Sequence, residues 1–261
     1  MLVALTLSGS VRAQATGGEV LVYAAGSLRG ALTEVAAAWQ AEQPPSSARL
    51  SFGASGLLKD RLLGGERADV FASANMEHPR ALADVGRAAA PRVFARNQLC
   101  ALGTPSFDAT PQTLVARLLD PQVRVGSSTP KADPAGDYAF AMFERIERSG
   151  HPGAFKVLAD KALQLTGGPS SAPPPRDRNV YGALMAAGRA DVFITYCTNA
   201  VIAQREVPTL RRIDIADDVN VSASYGVSVL AGAPGDAERF VQFLLAPAGQ
   251  AVLARHGFAP P

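Results

Sequence analysis

The residues Glu19 to Trp39, EVLVYAAGSLRGALTEVAAAW, decide the fold. Their first part, Val20 to Ala25, is a short apolar run of the length and composition typical of a strand buried in a parallel sheet. After Gly26 and Ser27, apolar residues recur at helical spacing with polar residues between them, which predicts an amphipathic helix. Ser27 therefore lies where a strand ends and a helix begins. The free N–H groups and the dipole of a helix start can bind an anion, although a serine there can also be a simple N-cap.

Length, composition and net charge limit the classes of protein to which the chain can belong. A chain of 261 residues can form one large domain or two lobes of ordinary size. Hydrophobic residues make up 48% and charged residues 18%, which is typical of a soluble globular protein. The net charge is +2, and the densest basic positions, Arg211–Arg212 and Arg176 with Arg178, are too short to follow a nucleic-acid backbone. Nucleic acid is therefore excluded as a partner, and we expect these arginines on a solvated surface.

Residues 1–15 are predicted to be the remnant of a secretory signal peptide. The segment is apolar at first and then turns small and polar, and small-x-small patterns end at Ala13 and Ala15. A short buried strand is the alternative interpretation. No other run reaches the roughly 18 apolar residues that a membrane span needs. We therefore expect an exported, periplasmic protein.

Strands and helices alternate along the rest of the chain, which predicts an α/β fold with mainly parallel sheets. A second strand over Ala48–Phe52 is followed by Gly53-Ala54-Ser55-Gly56 and a helix, repeating the order of the first unit. The prolines of Ser127–Gly136 predict a loop, and Phe155–Leu163 is predicted to be helical. Arg96–Asn97 interrupts two apolar runs, and we expect the chain to cross between two lobes there.

The carboxyl ends of strands are where open α/β sheets bind ligands. The sequence Ala190-Asp191-Val192-Phe193 repeats Ala68-Asp69-Val70-Phe71, which suggests two lobes of similar plan. The residues at predicted strand ends or helix starts are Ser27, Ser55, Pro134–Gly136, Val180 and Tyr196. Two serines at two helix starts favour a shared binding role over two unrelated caps.

The sequence contains few of the side-chain combinations that catalysis requires. The three histidines, His78, His151 and His256, have no carboxylate or cysteine at metal-ligand or triad spacing. There is no dinucleotide-binding glycine motif and no phosphate-loop lysine. We therefore expect a binding protein without enzymatic activity, cofactor or directly ligated metal. A serine hydrolase using Ser27 or Ser55 is the alternative from another class, and the missing base argues against it.

Cys100 and Cys197 lie in two strand-like runs. Export permits a disulfide, but the sequence does not show whether the two Cα atoms come within bridging distance. A disulfide and two buried thiols both remain open.

Several motifs, taken in order, resemble those of the molybdate-binding periplasmic proteins of ABC transporters. The resemblance covers residues 20–258. The motifs that carry it are Ala24-Ala25-Gly26-Ser27-Leu28, Phe52-Gly53-Ala54-Ser55-Gly56, Ala68 to Ala74, Pro134 to Ala139, Ile194-Thr195-Tyr196 and Arg255 to Phe258. It implies a type II periplasmic-binding fold, in which two α/β lobes close on a ligand in the cleft between them. The implied lobes are residues 18–96 with 222–261, and residues 97–221.

The resemblance also implies the function and the site. The chain would act as a monomer that captures a tetrahedral oxyanion, molybdate or tungstate, and delivers it to a membrane permease. The implied oxyanion contacts are the hydroxyls of Ser27, Ser55 and Tyr196 and the backbone N–H groups of Ala135 and Val180. The loop Thr166–Arg178 is longer and richer in proline than the family pattern, which leaves sulfate or a small organic acid as alternative ligands. A sensory role is a further alternative to transport.

Neutral donors suit an oxyanion because ordered N–H and O–H dipoles replace the water that the ion loses. A site made only of donors penalises a protonated oxyanion, whose own O–H finds no acceptor. This favours molybdate or tungstate over phosphate. Arg29 is expected at the rim and outside direct contact, whereas a carboxylate ligand would make it the natural bidentate partner.

Overall fold

The computed structural model describes residues 18–175 and 178–261. The predicted signal peptide, residues 1–15, lies outside these ranges, as does Arg176. Within the described part of the chain, no helix combines the length and the apolarity that crossing a membrane requires.

Strands and helices alternate along the described residues, as the sequence predicts. The strands are β1 (Glu19–Ala25), β2 (Ser47–Gly53), β3 (Val70–Ser73), β4 (Arg92–Gly103), β5 (Val125–Ser128), β6 (Leu163–Thr166), β7 (Val192–Tyr196), β8 (Arg211–Asp214) and β9 (Ser222–Val229). The helices are α1 (Arg29–Glu42), α2 (Ser55–Leu63), α3 (Glu77–Asp84), α4 (Leu114–Leu119), α5 (Pro134–Arg148), α6 (Ala154–Lys161), α7 (Val180–Ala186), α8 (Cys197–Glu206), α9 (Gly235–Leu245) and α10 (Pro247–Arg255). A short 3₁₀ turn, Gly26–Leu28, connects β1 to α1.

The strands form two sheet regions that share β4. In the first region the order is β2-β1-β3-β9-β4, and in the second it is β4-β7-β5-β6 with β8 also paired to β4. The first part of β4, Arg92–Gln98, pairs with β9, and its second part, Leu99–Gly103, pairs with β7. The chain therefore passes between the regions along one continuous strand. Arg96 and Asn97, where the sequence places the crossing between lobes, are both paired to β9, and the strand changes neighbours just beyond them.

The α/β class is confirmed, but the expectation of mainly parallel sheets is wrong. The pairs β1–β2, β1–β3, β5–β6 and β5–β7 are parallel, whereas β3–β9, β4–β7, β4–β8 and β4–β9 are antiparallel. Strand–helix–strand repeats account for the parallel pairs. The antiparallel pairs arise because β4 and β9 run against their neighbours in the first region and β4 runs against β7 and β8 in the second.

The amphipathic pattern of the opening stretch explains how α1 is held. Leu28, Leu32, Val35 and Trp39 are completely buried against the first sheet region. The Trp39 ring meets Phe240 of α9 edge-on, with ring centroids 5.2 Å apart. The two C-terminal helices thus return to the first region and cover α1.

Two local predictions need correction. The predicted helix over Phe155–Leu163 ends at Lys161, and Leu163 begins β6. The predicted loop Ser127–Gly136 contains the end of β5 and the start of α5 at Pro134. Proline favours the first position of a helix because its missing N–H would have no partner there. Arg211 and Arg212 are exposed, as expected, but they belong to a strand, β8.

Cys100 and Cys197 form a disulfide, which settles the point that the sequence left open. Their Cα atoms are 4.8 Å apart. Cys100 lies in the second part of β4, and Cys197 is the first residue of α8. The bond therefore fixes the start of α8, directly after Tyr196, to the strand that joins the two sheet regions.

Candidate functional site

The predicted strand ends meet at one cavity of about 590 Å³ between the two sheet regions. Ser27, Ser55, Val180 and Tyr196 line it. Ala135, the fifth predicted contact, is fully buried behind the cavity wall and is not among the lining residues. The structure therefore brings four of the five predicted residues together around one space.

The two serines approach the cavity from the first sheet region. Ser27 lies in the 3₁₀ turn after β1, and its Oγ is 3.0 Å from the hydroxyl of Tyr225 in β9. Ser55 is the first residue of α2, and its Oγ accepts a hydrogen bond of 3.2 Å from the backbone N–H of Ala74. Because Ser55 accepts from a backbone amide, its own hydroxyl proton is available to an anion.

Tyr196 approaches from the second region, at the end of β7. Its hydroxyl donates to the carbonyl oxygen of Ala74, 3.4 Å away and in the first region. Burial raises the pKa of Tyr196 well above its ordinary value, so the hydroxyl keeps its proton and remains a donor. Its ring packs between those of Tyr138 and Tyr225, at centroid distances of 6.2 Å and 5.5 Å. Tyr196 is thus a rigid neutral donor that already spans the cleft.

The helix starts of the second region carry side-chain caps. At α5, the N–H of Ala135 donates to Oδ1 of Asp133 over 3.1 Å. At α7, Oδ1 of Asn179 accepts from the N–H groups of Tyr181 and Gly182, at 3.0 Å and 3.1 Å. Side chains therefore occupy N–H groups at both helix starts. At α7 the caps leave the first residue, Val180, facing the cavity.

Asp133 is the functional candidate that the sequence analysis missed. It lines the cavity, so the expectation of a site made only of donors is also wrong. Burial is the main cause that raises the pKa of Asp133 to about 6, and the N–H of Ala135 acts in the opposite direction. The Asp-Pro sequence at a helix start is a recognised capping pattern and could have indicated this carboxyl group.

Arg29 lines the cavity, with its guanidinium carbon 4.6 Å from the ring centroid of Phe52. This contact keeps a positive charge at the wall of the first region. On the opposite wall, Thr166 to Pro169 and Ser171 to Pro175 of the proline-rich loop line the same space. The loop on which the sequence departs from the family pattern thus forms part of the cavity.

Metal and triad chemistry find little support among the described residues. They contain no group of three or more His, Cys, Asp or Glu side chains that could hold a metal ion. His78 is buried in α3, and Nε2 of His256 lies 2.8 Å from Glu34 on the outside of α1. No histidine is among the residues that line the cavity in the described part of the chain. The cavity therefore offers hydroxyl and N–H donors, the guanidinium groups of Arg29 and Arg178, and the carboxyl groups of Asp133 and Glu206.

A comparison with protein families gives a match over nearly all of the described residues. The family described as bacterial extracellular solute-binding protein matches residues 20–259. The chain belongs to this family. Its members are binding proteins of transport systems rather than enzymes.

Two relatives and one solved structure extend the comparison. The protein PM1146 of Pasteurella multocida is 38% identical over 248 residues, which cover 92% of this chain and 98% of that protein. The molybdate-binding protein ModA of Mycobacterium tuberculosis is 29% identical over 253 residues, covering 93% and 85% of the two chains. The structure of the sulfate-binding protein SubI from M. tuberculosis has a TM-score of 0.78 at 16% identity and covers 93% of this chain and 86% of that chain.

These comparisons confirm the resemblance to molybdate-binding periplasmic proteins and the type II periplasmic-binding fold. The chain, as a member of the solute-binding family, accordingly has two α/β lobes with a ligand cleft between them. The cavity between the two sheet regions occupies the position of that cleft.

Proposed function

We propose that this solute-binding protein captures a tetrahedral oxyanion outside the cytoplasm and delivers it to the membrane permease of an ABC transporter. Molybdate is the first candidate and tungstate the second. The observation that carries the proposal is the convergence of Ser27, Ser55, Val180 and Tyr196, from four separate strand ends and helix starts, on one cavity. Relatives that bind molybdate support the choice of ion.

Each proposed contact follows from the donor that the residue offers. The hydroxyls of Ser27 and Ser55 would hold the anion from one lobe, and the N–H of Val180 would hold it from the other. Tyr196 would join them by exchanging its hydrogen bond to the carbonyl oxygen of Ala74 for one to the anion. Ala135 would contribute its N–H only by exchanging the bond to Asp133 for one to the anion. Hydrogen bonds to charged partners contribute about 1.5–3 kcal/mol each, so four or five are sufficient for tight capture.

We further propose that the lobes are residues 18–96 with 222–261, and residues 97–221. The change of partners along β4, between Gln98 and Leu99, supports the first crossing, and the start of β9 at Ser222 supports the second. The protein would act as a monomer, because one chain supplies both walls of the cleft. It would bind its ligand without enzymatic activity.

Two other ligand classes are supported by particular observations. The SubI structure makes sulfate a candidate for the same fold. Arg29 and the apolar side of the cavity, with Phe52 and Leu57, make a small organic acid a candidate. A serine hydrolase receives no such support, since the hydroxyls of Ser27 and Ser55 contact Tyr225 and Ala74 and no histidine of the described residues lines the cleft.

A thermal-shift panel tests the proposal. The protein is first unfolded, dialysed and refolded to remove any bound ion, and then heated with molybdate, tungstate, sulfate, phosphate or simple carboxylates. A ligand at 100 times its dissociation constant adds about 2.7 kcal/mol to the stability of the folded state. We expect the largest shift with molybdate or tungstate. No shift with any tetrahedral oxyanion would overturn the proposal, and a shift with carboxylates alone would assign the cleft to organic acids.

A further inference from the structure

Asp133 stands where an oxyanion of the proposed function would bind. Its Oδ1 accepts the N–H of Ala135, which is one of the proposed anion contacts. Gly167 packs so closely that an added Cβ would lie 2.5 Å from Oδ2 of Asp133. Ser128 at the end of β5 also faces the carboxyl group. The carboxylate is therefore held in the cleft wall and cannot simply turn away from a bound anion.

The groups around Asp133 do not neutralise it. Tyr181 of α7 and Tyr196 of β7 face it, and burial raises the pKa of both, so they are neutral. Within the described residues, the charge that acts on Asp133 is that of another carboxylate, Asp137 of the same helix. The other charged side chains that line the cleft are Arg29, Arg178 and Glu206. None of these three is among the groups whose charge perturbs Asp133.

A dianion beside an ionised carboxylate would be strongly repelled in a cleft that excludes water. A proton between the two oxygens removes this repulsion and turns it into a short, charge-assisted hydrogen bond. We propose that Asp133 couples oxyanion capture to one proton, which is held between its carboxyl group and an oxygen of the bound anion. This inference rests on the proposed function and adds a determinant of which oxyanion is bound, and at which pH.

The direction of the pH dependence follows from linkage. Before an anion binds, burial raises the pKa of Asp133 to about 6. Above that pH Asp133 is a carboxylate, and a bound dianion raises the affinity of this carboxylate for a proton. Binding therefore takes up a proton, and affinity for a dianion falls as pH rises. Between pH 6.5 and pH 8.5 the dissociation constant should rise by up to about 80-fold if the complex stays protonated throughout.

Isothermal titration calorimetry with molybdate and with sulfate tests the inference, because both ions stay unprotonated between pH 6.5 and pH 8.5. Titrations in two buffers of different ionisation enthalpy give the number of protons taken up. Asp133→Asn is the informative variant, since asparagine caps a helix as well as aspartate does and can accept the N–H of Ala135. Asp137→Asn is the matched control, because Asp137 is on the same helix, accepts the N–H of Lys131 and is not among the residues lining the cleft.

We expect the wild type and Asp137→Asn to take up about one proton at pH 8 and to lose affinity with rising pH. Asp133→Asn should take up none, and its affinity should stay constant with pH and exceed that of the wild type at pH 8.5. A merely structural role of Asp133 would instead weaken binding equally at every pH, which would overturn the inference. Equal proton uptake by the wild type and Asp133→Asn would overturn it as well. If neither protein bound any oxyanion at any pH, the proposed function would fail, and this inference with it.

Discussion

Gly56→Ala tests whether the contact between the lobes is part of the ligand-binding conformation. Gly56 is the second residue of α2 in the first proposed lobe, and its N–H donates to the carbonyl oxygen of Ala132 in the second proposed lobe over 2.8 Å. A Cβ at this position would lie 2.6 Å from the same oxygen and closer still to the carbonyl oxygen of Lys131. Both obstacles are backbone atoms, so no side chain can turn aside. The lobes of an alanine variant must therefore stay further apart.

The cost can be estimated from this geometry. Losing the hydrogen bond costs about 0.5–1.5 kcal/mol, and an overpacked contact costs about 1–3 kcal/mol. Their sum, about 1.5–4.5 kcal/mol, corresponds to a loss of affinity between about 10-fold and 2,000-fold. Alanine favours a helix by about 1 kcal/mol over glycine. In the ligand-free protein with its lobes apart, the thermal midpoint should therefore stay the same or rise slightly.

The measurement pairs calorimetric titration of the oxyanion that binds in the thermal-shift panel with thermal unfolding of the ligand-free protein. Gly235→Ala is the control, because Gly235 also lies in the first turn of a helix and an added Cβ would meet no atom within 4 Å. It should leave affinity unchanged. If Gly56→Ala bound the anion as tightly as the wild type, the contact with Ala132 would not belong to the bound conformation, and the argument would be refuted.

Three further predictions concern the site and its support. Ser27→Ala and Ser55→Ala should each weaken oxyanion binding by about 1.5–3 kcal/mol in calorimetry. The control Ser222→Ala, at an exposed position in β9, should leave binding unchanged. If Ser27→Ala or Ser55→Ala also left affinity unchanged, that serine would have a structural role only. The double replacement Cys100→Ala/Cys197→Ala removes a disulfide between residues 97 positions apart and should lower the free energy of unfolding in urea by about 2–5 kcal/mol. A loss below about 1 kcal/mol would contradict this. Arg29→Ala should slow association at low salt and change affinity little at high salt, while a loss above about 2 kcal/mol that persists at high salt would indicate direct contact with the ligand.

The sequence predicts those parts of the fold that depend on local pattern. The β1 to α1 unit follows from its apolar run and helical spacing, and its helix buries the expected face. The short strands β6 and β8 escape prediction because most of their residues are exposed or only partly buried, so neither contains a continuous apolar run. The antiparallel course of β4 and β9 is a property of how the lobes are joined, which local periodicity does not contain.

The residues of the candidate site also divide into those that the sequence predicts and one that depends on tertiary packing. Ser27, Ser55, Val180 and Tyr196 could be proposed because strand ends and helix starts are visible in the sequence. Asp133 was missed because an aspartate before a proline has an ordinary explanation as a helix cap. Its second property, a place in the wall of the ligand cavity, depends on the packing of Gly167 and the proline-rich loop against α5. Such tertiary packing decides whether a cap is also a binding group.

The small residues at the start of α2 have two tasks, and the structure separates them. Ser55 presents a hydroxyl to the cavity, whereas the N–H of Gly56 is already bound to Ala132 of the other lobe. The start of α2 therefore offers the anion one side-chain donor, the hydroxyl of Ser55. The backbone N–H of Gly56 beside it holds the two lobes together instead. On this argument glycine is required at position 56 by the approach of a neighbouring backbone rather than by the anion. Replacing Ser55 should weaken binding through a lost ligand contact, and replacing Gly56 should weaken it through incomplete closure with that contact intact.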